Sequence, residues 1–227
     1  MIKNKHLIKD KIVLDVGCGT AILSMFAVQA GAKHVYSVDM SNIIDEARGI
    51  VEDNGMSDKI TLIKGKIEEI DLPVDSVDII ISEWMGYALV YESMMESVLY
   101  ARDKWLNKVD GIMLPDKATL YVTAIEDAKY KEDKIHFWDN VYGFKMDRIK
   151  KIAITEPLVD TVDGRQVTAT HCKIHEFDLM TITKEQAGKF ECEFSVRATR
   201  DDYIHAMVMY WDCQFSKSHT PIGFTEK

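Results

Sequence analysis

The order of hydrophobic and polar residues divides the chain into two parts that meet near Pro115. Before Pro115, short apolar runs alternate with helix-like segments, and after it apolar and polar residues alternate with a period of two. The first pattern is typical of βαβ units, which form a parallel sheet covered by helices on both faces. The second pattern is typical of antiparallel strands. The sequence therefore predicts an α/β part followed by an antiparallel β part.

The elements of the first part are predicted from their length and their flanking residues. The predicted strands are 12–16, 35–38, 60–63 and 77–82, and the predicted helices are 21–30, 42–53 and 94–106. Ser41 or Asn42 is expected to cap the second helix. In the second part, strands are predicted at 118–125, 167–174, 189–197 and 203–210. The intervening segment 127–151 mixes charges with aromatic residues and is expected to be helical and apolar on more than one side.

The composition of the chain indicates which kinds of binding partner suit it. The chain has 227 residues, of which 47% are hydrophobic, and a formal net charge of −9. An acidic chain is poorly suited to bind a nucleic-acid backbone directly and suits a basic partner, although most acidic proteins are simply soluble. No apolar run is long enough to cross a membrane. The four cysteines have neither zinc-site nor disulfide spacing, so we expect a reducing compartment and no metal.

A glycine-rich turn follows the first predicted strand. Gly17 and Gly19 would let a ligand approach the backbone at a helix N-terminus. Asp39, twenty residues after Gly19, ends the second strand, where a carboxylate can accept both ribose hydroxyls. Two nucleoside-dependent classes compete: nicotinamide dehydrogenases and enzymes that use S-adenosylmethionine (SAM). Asp15, just before the loop, favours a SAM enzyme, unless this residue only caps the loop.

Two carboxylates flank an aromatic hairpin after the fourth strand. Glu83 and Glu92 are nine residues apart, and Gly86 lets the chain turn back between them. Such a pair can bind a metal, share a proton or clamp a guanidinium. The site would be lined by the aromatic residues Trp84, Tyr87 and Tyr91. Because no further metal ligands stand in this stretch, a planar cation held by two carboxylates fits best. Glu68, after the third strand, is placed to accept from an adenine amino group, or else belongs to a solvated charge run.

The chain resembles the type I protein arginine N-methyltransferases. The resemblance rests on the glycine loop 13–23, the double-glutamate segments 82–87 and 91–94, and the segments 99–106, 115–121 and 135–144. It implies a Rossmann-like SAM-dependent methyltransferase domain followed by an incomplete antiparallel β-barrel-like domain with a helical dimerisation arm. The expected domains are 1–114 and 115–227, with the arm at about 127–151.

The resemblance also implies roles for individual residues. Glu83 and Glu92 would be the catalytic pair that grips the substrate guanidinium. The cofactor SAM, converted to S-adenosylhomocysteine (SAH), would be bound by the positions Asp15, Gly17, Gly19, Asp39 and Glu68. Met85 and Tyr87 would contact the substrate, although Met85 could instead fill the core.

Partners and location follow from the same resemblance. Arginines in histone tails or in Arg/Gly-rich RNA-binding proteins are the expected substrates, and asymmetric dimethylarginine is the expected product. The arm is expected to form a homodimer by docking on the SAM domain of a second subunit; the alternative is that it packs on its own barrel. Cytoplasmic and nuclear localisation is expected, with no direct contact to nucleic acid or membrane.

The chain departs from the family pattern at three places. Ala21 stands at the third glycine of the loop, where we expect at most a modest effect. Asp39 replaces the usual glutamate and is one methylene shorter. The family's N-terminal helix and the histidine-containing loop of the barrel are not found in the sequence. An alternative function is therefore a catalytically inactive SAM-binding and dimerisation fragment.

Overall fold

The structure, a computed structural model, describes residues 1–219 and 222–225. Its first half alternates strands and helices, as the sequence predicts. The elements in this half are α1 (Lys5–Ile8), β1 (Ile12–Val16), α2 (Ile22–Gln29), β2 (His34–Asp39), α3 (Ile43–Asp53), β3 (Ile60–Lys64), β4 (Ile79–Ile81), α4 (Met94–Trp105) and β5 (Ile112–Leu114). Helix α1, the 3-10 turn Ile2–Asn4 before it and strand β5 were not predicted.

The five strands form one parallel sheet in the order β3-β2-β1-β4-β5 within the described residues. Strand β1 is central because the chain first winds outward to β3 and then returns to add β4 and β5 on the other side. This reversal puts a crevice at the carboxyl ends of β1 and β4, where open α/β sheets bind their ligands. The sheet topology therefore brings the glycine loop after β1 and the hairpin after β4 to the same edge.

The core lies between one face of this sheet and the helices α2 and α3. Alternating strand residues point to this face, and they pack against buried helix residues. The cluster includes Val13, Val35, Ile79 and Ile81 from the strands and Met25, Ala27, Ala47 and Val51 from the helices. Burial of this set anchors β1 and thus fixes the position of the loop that follows it.

The second half contains a four-stranded sheet in the order β7-β6-β8-β9 among the described residues. Its strands are β6 (Lys117–Ile125), β7 (Cys172–Asp178), β8 (Ala206–Phe215) and β9 (Ile222–Thr225), and β8 and β9 pair antiparallel. Strand β6 agrees with the sequence prediction. Strands β7 and β8 begin later than the predicted 167–174 and 203–210, where the chain forms only isolated bridges before β7.

The predicted strand at 189–197 is wrong for the described structure. These residues form no regular element, although their alternation is the clearest in the chain. A strand is held by the neighbour with which it pairs, and the segment meets its neighbour mainly at a bridge between Ala198 and Ala169. Phe194, at a position of apolar alternation, is 51% exposed. Alternation alone predicts a face but does not supply the partner strand.

The segment 127–151 is largely helical, as predicted. It contains α5 (Ala128–Tyr130), a π-helical turn at Lys131–Ile135, a 3-10 turn at His136–Asp139 and the start of α6 (Asp147–Thr155). Residues 140–146 between these helices form a small turn closed by the bridge between Val141 and Phe144. Lys150 of α6 is joined to the end of the 3-10 turn through two 2.7 Å contacts to the Asp139 carboxylate.

The compact units of the structure are not separated by a single cut in the sequence. One unit contains Met1–Thr119, Glu176–Glu191 and 212–225, and the other contains Leu120–His175 and Cys192–Trp211. A short helix, α7 (Lys184–Gly188), belongs to the first unit. The expected domain boundary between 114 and 115 stays a prediction, and residues 220–221 and 226–227 of the expected second domain lie outside the described residues.

Arg102 explains why the later segment 176–191 belongs to the first unit. Its side chain is buried on α4, and its Nη1 donates 2.7 Å hydrogen bonds to the carbonyl oxygens of Leu179 and Ile182. Its Nε donates to Asp103 at 2.8 Å. A guanidinium can make several such bonds at once in a fixed geometry, which an ammonium cannot.

We predict that Arg102→Ala lowers the free energy of unfolding by about 2–4 kcal/mol, since two buried carbonyls lose their donor. Urea denaturation measures this loss. Lys104→Ala, on the same helix, is the control: its ion pair with Asp71 is at the surface, so a much smaller loss is expected. Equal losses in the two variants would contradict the anchoring role of Arg102.

Candidate functional site

The glycine loop turns sharply at the end of β1. Gly17 and Gly19 have φ values of +73° and +52°, and the N–H groups of Gly17 and Cys18 both donate to the carbonyl of Val38. A Cβ at Gly17 would lie 2.2 Å from Cε of Met94, whereas one at Gly19 would meet nothing within 4 Å. The left-handed backbone at Gly17 favours glycine, and the end of the flexible Met94 side chain packs against it, whereas Gly19 borders open space in which a ligand can approach the backbone.

Ala21, at the third loop position, has a left-handed backbone with φ +65°. It precedes α2, and its side chain is buried. A left-handed conformation costs a residue with a Cβ roughly 1–2 kcal/mol. Glycine would adopt this backbone conformation without that cost. Alanine is held in it because its side chain is packed in the surrounding core.

Asp39 lies at the end of β2 and holds the loop from the side. Its Oδ2 accepts from the Gly19 N–H at 2.9 Å, and its Oδ1 accepts from the backbone and hydroxyl of Ser41 at 2.8 and 2.6 Å. Partial burial acts to raise the pKa of Asp39, but these hydrogen bonds outweigh it and the pKa is lowered. Asp39 is therefore an ionised acceptor beside the loop. Ser41, a predicted cap of α3, bonds Asp39 instead, and Asn42 at the N-cap makes no side-chain cap.

Asp15 lies beneath the loop rather than in the open crevice. It has no exposed surface, and its Oδ2 accepts a 2.5 Å hydrogen bond from the Ser24 hydroxyl on α2. Its Oδ1 is buried without a well-formed hydrogen bond to any described residue. Desolvation raises the pKa of Asp15 to about 7, although Ser24 lowers it in part. Asp15 is thus a buried group that titrates near neutral pH.

Glu68 is exposed on the segment after β3. Its Oε1 accepts from the Ser97 hydroxyl on α4 at 2.6 Å, and its backbone carbonyl is 3.3 Å from the Tyr100 hydroxyl. The structure therefore ties Glu68 to α4 on the carboxyl side of the sheet. Its predicted contact with adenine stays a prediction.

Glu83 and Glu92 come together through the hairpin that follows β4. Gly86 and Leu89 pair across it with hydrogen bonds of 3.1 and 2.9 Å. A Cβ at Gly86 would lie 2.7 Å from Cδ of Glu92, so the Glu92 carboxyl rests against the Gly86 backbone. Any side chain at position 86 would push this carboxyl away. The sequence prediction that Gly86 folds the two glutamates toward each other agrees with this geometry.

The two carboxylates influence each other electrostatically. Partial burial raises the pKa of Glu83, and the negative charge of Glu92 raises it further. Like charges held together in this way favour binding of a cation between them. The pair can therefore accept a positively charged group with several hydrogen-bond donors.

The aromatic residues of the hairpin differ in how far their side chains are exposed to solvent. Trp84 is buried, and its Nε1 has no hydrogen-bond partner among the described residues. Tyr87 and Tyr91 are 57% and 78% exposed, and their expected place along the site stays a prediction. Met85 is half-buried. The roles of Met85 and Tyr87 as substrate contacts stay predictions.

Met94 is a residue whose place in the site the sequence prediction missed. It begins α4 two residues after Glu92, and its methyl group packs against Gly17. This side chain therefore joins the glutamate hairpin to the glycine loop. A methionine two residues after the second glutamate is the sequence signal that could have identified it.

No group of three or more His, Cys, Asp or Glu side chains in the described residues could hold a metal ion. None of the helices in the described ranges has the length and apolar character needed to span a bilayer.

Two protein families match successive parts of the chain. Residues 13–108 match a family described as a methyltransferase domain, and residues 116–227 match the arginine methyltransferase oligomerization subdomain. The chain is 55% identical over 225 residues to protein arginine N-methyltransferase 1 of Chlamydomonas reinhardtii, covering 99% of this chain and 65% of that protein. It is 61% identical over 226 residues to the probable protein arginine N-methyltransferase 1.2 of Arabidopsis thaliana, covering 98% and 60%. The chain thus spans about two thirds of the length of these relatives or slightly less.

Solved structures of protein arginine methyltransferases are also similar to this chain. A Trypanosoma brucei PRMT1 enzyme–prozyme heterotetrameric complex with AdoHcy has a TM-score of 0.94 and 44% identity, covering 100% of this chain and 71% of that one. Arabidopsis thaliana protein arginine methyltransferase 10 has a TM-score of 0.81 and 30% identity, covering 99% and 71%.

We predict that Asp15→Asn removes a pH dependence of stability. A carboxyl whose pKa is raised from 3.8 to about 7 in the folded state takes up a proton on folding. Its contribution to stability therefore falls as the pH rises from 4 to above 7. The wild-type free energy of unfolding should drop by about 2–3 kcal/mol more than that of Asp15→Asn between pH 5 and 8. Urea titrations at both pH values measure this, and Asp110→Asn, at an exposed carboxylate, should behave like the wild type.

Proposed function

The chain belongs to the protein arginine N-methyltransferase family, and on this premise we propose that it transfers methyl groups from SAM to guanidino nitrogens of protein arginines. The observation that supports this most directly is the pair Glu83 and Glu92. Their carboxylates are coupled electrostatically, and a glycine keeps the space for one of them open. An arginine side chain is a planar cation with five donors, which two carboxylates can bind together.

The proposed cofactor is SAM, bound at the glycine loop. The chemistry of the available groups fits a nucleoside: Asp39 is an ionised acceptor at the end of β2, and Gly19 borders open space. The orphaned Oδ1 of Asp15 offers a further acceptor beneath the loop. SAM supplies an electrophilic methyl group on a sulfonium. Two of the predicted cofactor positions differ in exposure. Asp15 is buried and would influence the cofactor through the loop, whereas Glu68 is exposed to solvent.

The two glutamates would act by binding and orienting the substrate. Two carboxylates on one guanidinium draw positive charge toward the nitrogens they bind and leave the reacting nitrogen more nucleophilic. They also fix the direction in which that nitrogen points, so positioning and electrostatics supply much of the rate. Binding of a guanidinium would stabilise the ionised form of Glu83, which Glu92 disfavours in the free protein.

A second candidate is a non-catalytic module that binds SAM and associates with other subunits. One observation favours it: Tyr87 and Tyr91 are exposed, so the described residues do not close the guanidinium site. Calorimetric titration of SAH into the chain, beside radiolabelled methyl transfer to an Arg/Gly-rich peptide, separates the two candidates. Binding with transfer supports the enzyme, and binding without transfer supports the module.

The finer functional statements are part of the proposal. Histone tails and Arg/Gly-rich RNA-binding proteins are the proposed substrates, in keeping with a net charge of −9, and asymmetric dimethylarginine is the proposed product. The proposed location is the cytoplasm and the nucleus.

A homodimer through the segment 127–151 is also proposed. This segment belongs to the part that matches the oligomerization subdomain, and it exposes large apolar side chains. Tyr142 is 95% exposed and Phe144 is 68% exposed. Exposed apolar groups of this size favour coverage by a partner. On the first unit, Ile22 and Phe26 of α2 are 47% and 40% exposed and offer an apolar surface to the arm of a second copy.

We predict that Glu83→Gln and Glu92→Gln each abolish methyl transfer, since either change removes a charge that grips the guanidinium. SAH affinity should stay within a few-fold of the wild type, as calorimetry would show. Glu96→Gln is the matched control: Glu96 pairs with Lys184 at the surface, and its loss should leave transfer intact. A parallel loss of SAH binding in the first two variants would show that these glutamates are structural.

We predict that Tyr142→Ser together with Phe144→Ser converts the dimer into a monomer, because the proposed interface loses its most exposed aromatic groups. Size-exclusion chromatography with light scattering gives the mass directly. Val109→Ser is the control, since Val109 is as exposed as Tyr142 but lies outside the arm. An unchanged mass in the double variant would contradict the proposed interface.

A further inference from the structure

Three buried polar side chains form a chain beneath the glycine loop. Asp15 is on β1, Ser37 is its register partner on β2, and Ser24 is on α2. None of the three has exposed surface. Ser24 Oγ lies 2.5 Å from Asp15 Oδ2 and 2.7 Å from Ser37 Oγ. Ser24 therefore lies between the carboxyl group and the second hydroxyl.

The charge of Asp15 decides the direction of these hydrogen bonds. Each hydroxyl has one hydrogen to donate, and an ionised carboxylate can only accept. Ser24 must then donate to Asp15, and Ser37 must donate to Ser24. Both O–H dipoles point their positive ends toward the carboxylate, which favours its ionised form. The two serines thus oppose the desolvation that favours protonation.

The charged groups around Asp15 give no other support to ionisation. Helix α2 and strand β4 contain no ionisable side chain. Strand β2 contributes Asp39 on the same face, and its negative charge raises the pKa of Asp15. In the loop, burial and the two aspartates raise the pKa of the Cys18 thiol to about 12, so this thiol stays neutral. Ser24 lowers the pKa of Asp15 against burial through its hydroxyl and its backbone, and Ser37 is hydrogen-bonded to that hydroxyl.

From this geometry we infer that Ser24 and Ser37 are positioning residues that favour the ionised form of Asp15 beneath the glycine loop, and that this buried charge shifts the relative affinity of the nucleoside site toward cationic SAM and away from neutral SAH. The inference rests on the proposed function, which places the cofactor at this loop. SAM carries a sulfonium charge that SAH lacks, so a negative charge below the loop distinguishes the two. Without the serine hydroxyls, burial and Asp39 raise the pKa of Asp15 further, so a smaller fraction is ionised near neutral pH and the distinction weakens.

Calorimetric titration of SAM and SAH at pH 6 and pH 8 tests this inference. In the wild type, the affinity for SAM relative to SAH should increase several-fold over this range as Asp15 ionises. In Ser24→Ala, where Asp15 ionises about one pH unit higher, the ratio should be about twofold lower than in the wild type at both pH values, and Ser37→Ala should show a smaller reduction. Ser24→Thr, which restores the hydroxyl, should recover the wild-type ratio. In Asp15→Asn the ratio should not change with pH, and this variant corrects for titration of the ligands' own amino groups.

Ser82→Ala is the matched control for the loss of a buried hydroxyl. Ser82 is buried and donates to the Val16 carbonyl at 2.8 Å, but it takes no part in the Asp15 chain. This variant should keep the wild-type dependence of the ratio on pH. An equal loss in Ser82→Ala and Ser24→Ala would show a general packing effect and overturn the inference.

Carbon NMR of the Asp15 carboxyl in the ligand-free chain gives an independent measurement. The pKa of Asp15 should rise by about one unit in Ser24→Ala, since one stabilising hydrogen bond is lost. An unchanged titration would overturn the role of Ser24. If neither nucleoside binds the wild type, the proposed function fails and the inferred discrimination fails with it, while this titration still reports whether Ser24 controls the charge.

Discussion

The candidate site depends on two glycines whose backbone lies against the end of a long side chain that belongs to the site. At Gly17 the neighbour is the methyl group of Met94, and at Gly86 it is the carboxyl of Glu92. The first contact joins the loop after β1 to the start of α4, and the second sets where Glu92 stands relative to Glu83. The first contact exists because a parallel sheet brings the carboxyl ends of β1 and β4 to one edge, and the second forms within the hairpin that follows β4. The sheet order and the two glycines together therefore set the geometry of the site.

The charges at this edge lie in two environments. Glu83, Glu92 and Asp39 are reached by solvent, and their ionised forms are available to a ligand. Asp15 is buried, and desolvation holds its pKa near neutral. A buried carboxylate normally weakens a fold, and here its cost is reduced by two hydroxyls that point toward it. The family to which the chain belongs gives this arrangement a context, because a cofactor with a sulfonium charge would bind above it.

The sequence predicted the first half of the fold well because its strands are apolar on both faces and its loops are marked by glycine and aspartate. Strand β1 agrees with the prediction residue for residue, and α2, α3, β2 and β3 differ by one or two residues at their ends. The second half was predicted less well. Alternation at 189–197 indicated a strand, but a strand needs a paired neighbour, and pairing is a long-range property. The exposure of Tyr87 and Tyr91 was missed for the same reason, since residue type does not say which way a hairpin turns.

By itself, the sequence determined the chemistry: which carboxylates stand beside glycine turns, which strand precedes each turn, and which family the motifs resemble. Those properties are local, because they depend on residue type and spacing over a few residues. The tertiary structure alone decided which of these groups are buried and which meet. Asp15 and Asp39 are both acidic residues beside one loop, yet burial raises the pKa of one and hydrogen bonds lower that of the other. Ser24 and Ser37 had no signal in the sequence, because their significance comes from a contact across three elements whose packing only the folded chain creates.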